Sequence, residues 1–326
     1  MSQLAHSRVL SSFLRRRFVL LALMLALAPA AGAWNDLGHM TVAYVAYQQM
    51  TPQVRQRAST LLKLNPYYSK WVAQLPRNAR ASDKDMMIFM LAATWADQIK
   101  TDPNYTNDGT DDGDRAPEGP SASQNIGYQD HDRHKYWHFV DTPFSQDGTP
   151  VGNVPLPNAQ TQIAAFRAVL ASDSPDELKS YDLTWVLHLV GDVHQPLHCV
   201  SRYCSALPSG DAGGNKVLLC APPCRDELHG FWDDVLGTSK SPTAAISVAK
   251  TLPAADSTLV SETDEATWIS ESFEIAKTKV YVDPIGPGSG PYTLTSAYKT
   301  AARQLAAQRV ALAGGRLANV LNKELK

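Results

Sequence analysis

The sequence has almost no net charge. Lys and Arg number 30 and Asp and Glu 32 in 326 residues, a formal balance of −2. That balance excludes the wide basic surface of a protein that tracks duplex DNA. The chain is not acidic or aromatic-poor enough to stay disordered either. It lacks internal repeats and heptad runs, which removes solenoids and coiled coils. Past the first 33 residues no apolar run is long enough to span a bilayer. Cysteine is scarce, four in all, and confined to Cys199, Cys204, Cys220 and Cys224. What is present, 44% hydrophobic and 19% charged side chains, suffices for a large globular core.

The first 33 residues read as a secretory signal. Arg8 and Arg15-Arg16-Arg17 make a basic start, Phe18 to Leu27 an apolar run, and Ala31-Gly32-Ala33 a small-residue cleavage site. Arg15 to Phe18 also resembles a loose twin-arginine signal. Cleavage between Ala33 and Trp34 implies a secreted or periplasmic protein spanning residues 34–326, with no membrane insertion in its mature form. The signal holds four arginines and no acid, so 26 basic residues face 32 acidic ones in the remainder, or −6. In an exported chain four clustered cysteines read as two disulfides stapling a loop, with three pairings open. A four-cysteine zinc site is the rival reading.

Helical periodicity dominates the rest. Apolar residues recur at three- and four-residue steps over 40–49, 51–64, 85–99, 158–171, 183–193, 242–251, 267–280 and 294–321. Only Lys216 to Leu219 alternates like a strand. The expected fold is mainly α, a single-domain multi-helix protein with long loops and a disulfide-stapled segment. Thr101 to Asp132, rich in Asp, Gly, Asn, Ser and Pro, reads as a long surface loop. Its acids match no EF-hand spacing.

The chemistry concentrates in Trp185-Val-Leu-His188-Leu-Val-Gly-Asp192-Val-His194-Gln-Pro196-Leu-His198. His188 and Asp192, four apart, share a helical face, and Pro196 turns the chain to re-aim His198. Imidazole and carboxylate are the ligands zinc or manganese takes from such a site. His229 and Asp233 repeat the spacing. Trp95-Ala-Asp97-Gln-Ile-Lys100 ends an apolar helix with an acid and a lysine. Tyr136-Trp137-His138-Phe139-Val140-Asp141 is a short aromatic segment, and Trp34 with His39 opens the mature chain. Six of the eight mature histidines and five of the seven tryptophans fall in these clusters.

Taken in chain order, Trp34 with His39, Trp95 to Lys100, His138 to Asp141, His188 to His198, Gly213-Gly214-Asn215 and His229 with Asp233 resemble the S1/P1 nucleases. Those are secreted, zinc-dependent, single-strand-preferring nucleases that also act as 3′-nucleotidases. The resemblance runs closely from Trp34 to Asp234 and loosely beyond. Zinc-dependent bacterial phospholipase C is a more distant likeness, sharing the helical fold.

The resemblance implies three zinc ions. One would be held by Asp97, His138, His188 and Asp192, and a second by His198, His229 and Asp233. The third would take Trp34 through its α-amine and carbonyl, with His39 and a bridging oxygen of Asp192. It further implies catalytic roles for Asp97, orienting the attacking hydroxide, and for Lys100, offsetting transition-state charge. Phe139, Asp141, Gly214 and Asn215 would form a base pocket, Phe139 stacking any base. The implied substrates are single-stranded RNA and DNA and nucleotides, and the expected state is a monomer. His131 and His134 read as solvated, and His194 as a hydrogen-bonding support to a ligand. The long insert between Asp97 and His138 and the cysteine-bearing loop before His229 depart from the family pattern and should border the cleft. Two alternatives stay open: a phospholipase C-like zinc phosphodiesterase and a non-catalytic exported zinc-binding protein.

Overall fold

A computed structural model describes residues 34–325; the expected signal segment, 1–33, lies outside the described residues. The helices are α1 (Asp36–Gln49), α2 (Pro52–Leu62), α3 (Tyr68–Gln74), α4 (Lys84–Ala92), α5 (Trp95–Ile99), α6 (Ala159–Leu170), α7 (Asp176–Asp192), α8 (Leu228–Asp233), α9 (Pro242–Ala249), α10 (Ser257–Val260), α11 (Glu265–Ile275) and α12 (Ser296–Glu324). Many of their starts follow local chemistry. Asn35 Oδ1 accepts from the backbone N–H groups of Leu37 and Gly38. Thr51 caps α2 ahead of Pro52, whose missing N–H costs nothing at a first helical position. Asn158 and Thr161 cap α6 reciprocally.

Helix α7 is the axis of the core. Every residue from Lys179 to Asp192 is buried, the state of a helix with neighbours on all sides. It packs against α1, α2, α5, α6 and α12, while α1 also lies on α4, α9 and α12. Trp95, Trp137 and Trp185 are fully buried. Trp185 meets Trp137 at 5.1 Å and Trp95 at 5.7 Å, edge to face, in the geometry aromatic quadrupoles favour. Trp185 also meets the His138 ring at 5.5 Å, so these rings form a wall behind it. No described helix is long and apolar enough to cross a membrane.

The mainly helical expectation holds, with local corrections. The run 85–99 is two helices, broken at Ala93–Thr94. The Thr94 hydroxyl donates to the Leu91 carbonyl at 2.8 Å, a local bond that competes with helix continuation. Apolar spacing runs through this break and does not register it. Lys216 to Leu219 forms only an isolated bridge, Leu218 to Glu227. The strands are β1 (Pro143–Ser145) and β2 (Ser201–Tyr203), a parallel pair.

One disulfide is present where two were expected. Cys220 and Cys224 are bonded, whereas Cys199 and Cys204 are free and buried. Cys199 lies in the core and donates to the Val193 carbonyl at 3.4 Å; burial pushes its thiol up to about 12. Cys204 closes β2 with backbone bonds to Leu207. Both thiols serve packing, as buried cysteines commonly do.

The insert after α5 is anchored to the body. Asn125 Nδ2 donates to Asp182 of α7 at 2.9 Å, and the Tyr128 hydroxyl lies 2.8 Å from that of Ser180 on the same helix. Trp137 Nε1–H reaches the Ala122 carbonyl at 2.9 Å. His134 is buried, 2% exposed, which corrects its reading as a solvated residue.

Candidate metal centre

The α4–α5 break turns the Ala93 carbonyl toward α7, where it accepts from His188 Nδ1 at 2.8 Å. A carbonyl cannot donate, so Nδ1 carries the ring proton. In the neutral ring Nε2 is then a bare lone pair. That Nε2 lies 3.0 Å from His138 Nδ1, 3.3 Å from Asp192 Oδ2 and 3.6 Å from Asp97 Oδ1. His138 Nδ1 is 3.0 Å from the same Asp192 oxygen. Four groups from α5, α7 and the segment before β1 thus face one point.

A second set repeats the logic. His198 Nδ1 donates to the His138 carbonyl at 2.8 Å and His229 Nδ1 to the Gly213 carbonyl at 2.7 Å. Their Nε2 atoms consequently point at each other, 3.1 Å apart, with Asp233 Oδ2 3.5 Å from His229. Two neutral imidazole lone pairs at this distance repel, and a cation between them removes the repulsion. Gly213 makes the approach feasible: its φ is +60°, and a Cβ there would stand 2.4 Å from the Leu197 carbonyl.

His39 lies over His188, rings 3.8 Å apart and 17° from parallel, with Nε2 3.3 Å from Asp192 Oδ1. Neither His39 nitrogen has a hydrogen-bond partner, nor does Asp192 Oδ1. A Cβ at Gly191 would come within 2.9 Å of His39 Nδ1, so glycine lets α1 close on α7 here. Trp34 is fully buried at the head of α1, and Asn35 Nδ2 ties that head to Asp234 and the Gly237 carbonyl, just past α8.

Three groups could hold a metal ion around α7: His39 with Asp97 and His188; His138 with His188 and Asp192; and His198 with His229 and Asp233. Burial, and after it Asp97, pushes the Asp192 carboxyl well above its ordinary range, and burial does the same to Asp233. Burial pushes His39, His138 and His198 well below theirs. Dications suit such a site, because they stabilise the deprotonated form of every ligand at once. The residues present therefore fit zinc.

Lys100 is 6% exposed, and its ammonium sits 2.7 Å from Asp97 Oδ1. It is a buried cation at the cluster and not a solvated helix end. Burial opposes ionisation of Asp97, but Lys100 and the nearby histidines hold its carboxyl below the usual range. Phe139 packs half-buried against the core. Burial, then Asp211 and Asp114, raises the Asp141 carboxyl to about 7. Arg115 and Lys216 partly offset that rise. Asn215 Nδ2 donates to the Ala212 carbonyl at 2.7 Å, closing a loop in which Ala212, Gly213 and Gly214 all have positive φ.

One support escapes a sequence reading. Gln195, fully buried, donates to Asp233 Oδ1 at 2.8 Å and accepts from Leu197 N–H at 2.6 Å, which fixes the Asp233 carboxylate. Its only signal is its place between His194 and Pro196. His194 turns the other way, its Nδ1 donating to Val190 and its Nε2 meeting Arg316 of α12 at 3.0 Å. It braces the core and makes no hydrogen bond to a ligand candidate.

The family model for S1/P1 nuclease matches residues 34–326. Nuclease S1 of Aspergillus oryzae is 25% identical over 238 residues, 71% of this chain and 63% of that protein. Endonuclease 4 of Arabidopsis thaliana is 25% identical over 240 residues, 70% of this chain and 63% of that one. Endonuclease 5 of the same plant is 34% identical over 70 residues, 20% of this chain and 21% of its own length. The match thus covers less than two thirds of each of these relatives.

Proposed function

The chain belongs to the S1/P1 nuclease family, and we propose that it is a trinuclear-zinc endonuclease of single-stranded RNA and DNA. Its products would be 5′-phosphorylated nucleotides and oligonucleotides, with 3′-nucleotidase activity on mononucleotides, in a secreted or periplasmic setting. The observation that carries this reading is the convergence of bare imidazole nitrogens, each ring of His188, His198 and His229 pinned by a backbone carbonyl on its other side.

In this reading Asp97, His138, His188 and Asp192 hold one zinc, and His198, His229 and Asp233 another. Trp34 and His39 with Asp192 hold the third. Bound zinc would supply Lewis-acid polarisation of the phosphate and activation of water near neutral pH. The protein's own groups do the remainder. Lys100, buried against Asp97, sets a positive charge beside the phosphate as its oxygens gain charge, where the low-dielectric surroundings strengthen its effect. Asp97, held ionised by Lys100, orients the attacking water.

Phe139 offers a ring face to an unpaired base, and Asp141 and Asn215 flank its edge. Bases already stacked in a duplex would first have to be extruded, which favours single strands. The mature balance of −6 leaves affinity to the metal charge and to stacking, so binding should lose little with added salt.

The test is metal analysis of the purified protein, with hydrolysis of single-stranded DNA, phosphatidylcholine and a 3′-mononucleotide assayed before and after chelation. Three zinc ions, nuclease activity lost on chelation and restored by zinc are expected. Cleavage of phosphatidylcholine alone would make it a phospholipase C-like esterase. Three tightly held zinc ions with no hydrolysis would make it a zinc-binding protein.

A further inference from the structure

Asp211 stands two residues before Gly213-Gly214-Asn215 and belongs to no ligand set. The loop it begins has a demanding shape. Ala212, Gly213 and Gly214 have φ of +52°, +60° and +88°. Glycine adopts this left-handed region freely, but alanine does so at a cost, because its Cβ crowds the following carbonyl. A loop of this shape needs a hold from outside.

Asp211 supplies the hold. It is fully buried, and both carboxylate oxygens are engaged. Oδ1 accepts from Arg202 N–H at 2.9 Å and Oδ2 from the Tyr281 hydroxyl at 2.8 Å. Arg202, also fully buried, places its guanidinium 4.5 Å over the Tyr281 ring. It donates to the Gly286 and Gly288 carbonyls at 2.6 and 2.9 Å, which fixes it to the segment after Tyr281. Burial pushes the Asp211 carboxyl up, while Arg202, Tyr281 and the Gly214 N–H pull the other way. Tyr281 itself follows a π turn, Ala276–Val280, that continues α11. Such turns are rare and concentrate at functional sites.

Two contacts lead from this clamp to the metal centre and its pocket. The Gly213 carbonyl accepts from His229 Nδ1 at 2.7 Å, which leaves His229 Nε2 bare toward His198. Asn215 is tied to the Ala212 carbonyl by its side chain at 2.7 Å and by its N–H at 3.2 Å, so its orientation follows that of Ala212. Resting on the nuclease reading, we propose that Asp211, clamped by Arg202 and Tyr281, is a positioning residue. Through one loop it sets zinc affinity at His198, His229 and Asp233 and nucleotide binding at Asn215 together.

The test removes one bond of the clamp with Tyr281→Phe, which keeps the ring under Arg202. Tyr128→Phe, which removes a hydroxyl contact between the insert and α7, controls for lost stability alone. Zinc release is followed by chelator competition, and KM and kcat are measured with a 3′-mononucleotide at saturating zinc. In Tyr281→Phe one zinc ion per chain, the one that His229→Ala loses, should leave at about tenfold lower chelator concentration. KM should rise about tenfold with kcat within about threefold of wild type. Tyr128→Phe should change neither. Ala212→Gly, added to Tyr281→Phe, should restore both toward wild type, since glycine holds the left-handed turn without help. Unchanged zinc release or unchanged KM in Tyr281→Phe overturns the positioning role, as does an equal effect in Tyr128→Phe or a failure of Ala212→Gly to rescue. If the wild-type protein holds zinc but hydrolyses nothing, the nuclease reading fails, and zinc release with its rescue decides the clamp. A wild-type chain that takes up no zinc ends both.

Discussion

Two buried histidine–carboxylate clusters meet the Trp137–Trp185 pair, one through His138 on Trp185 and the other through His134 on Trp137, and they are built for opposite purposes. Around α7, the rings of His188, His198 and His229 spend one nitrogen on a backbone carbonyl and turn the other to a shared space. In the insert, His134 gives both nitrogens to carboxylates, Nδ1 to Asp108 and Nε2 to Asp130, each at 2.7 Å. Burial alone would lower its pKa, but these two acids hold it up at about 9. Asp108, Asp132 and His134 come close enough in distance to hold a cation. His134, however, is itself the cation, stacked 3.6 Å from Trp137, with no lone pair to offer. What separates a ligand set from an ion pair is where the second ring nitrogen goes.

The largest expected effect falls on the first cluster. His188→Ala should strip zinc from the protein and cut turnover at least about a thousandfold, roughly 4 kcal/mol of transition-state stabilisation. Zinc stoichiometry by atomic absorption checks it, and full metal content in the variant would dissolve the distinction drawn above.

His134→Gln should leave zinc content unchanged and cost about 3 kcal/mol of stability at pH 7. Its folded pKa is raised, so the stabilisation is fully present below the ordinary histidine value near 6.5. It is lost as pH rises through about 9. Denaturant titrations at pH 6, 8 and 10 should show the gap between variant and wild type closing at the top of that range. A gap independent of pH would mean that the ring is neutral and the clusters are alike.

Lys100→Met sharpens the contrast, since Lys100 is bonded to Asp97 much as His134 is to its acids. If it only balances charge, the variant loses stability. If it acts on substrate, kcat falls about a hundredfold with KM and zinc content near wild type. Steady-state kinetics separates the two, and a kcat within about threefold of wild type removes the catalytic role.

Much of this was legible along the chain. The spacing of His188 and Asp192, and of His229 and Asp233, follows from helical geometry. The extent of α6 and α12 follows from apolar periodicity to within about three residues. Gln195 and the break at Thr94 were not legible. One is a polar residue inside a motif with no pattern of its own. The other is a single hydroxyl-to-carbonyl bond in a continuous apolar run. The cysteine pairing was hidden as well, because four nearby thiols leave three pairings open and only burial shows that Cys199 and Cys204 face the core.

By itself the sequence determined the helical class, the family resemblance and the residue types at the centre, all of which are carried by local spacing and motif order. The tertiary structure alone decided which ring nitrogen faces inward, which histidine is a cation, and which distant groups clamp Asp211. The reason is distance along the chain. The carbonyl that sets His188 lies 95 residues away and the one that sets His198 lies 60 away, and periodicity carries no information over such separations.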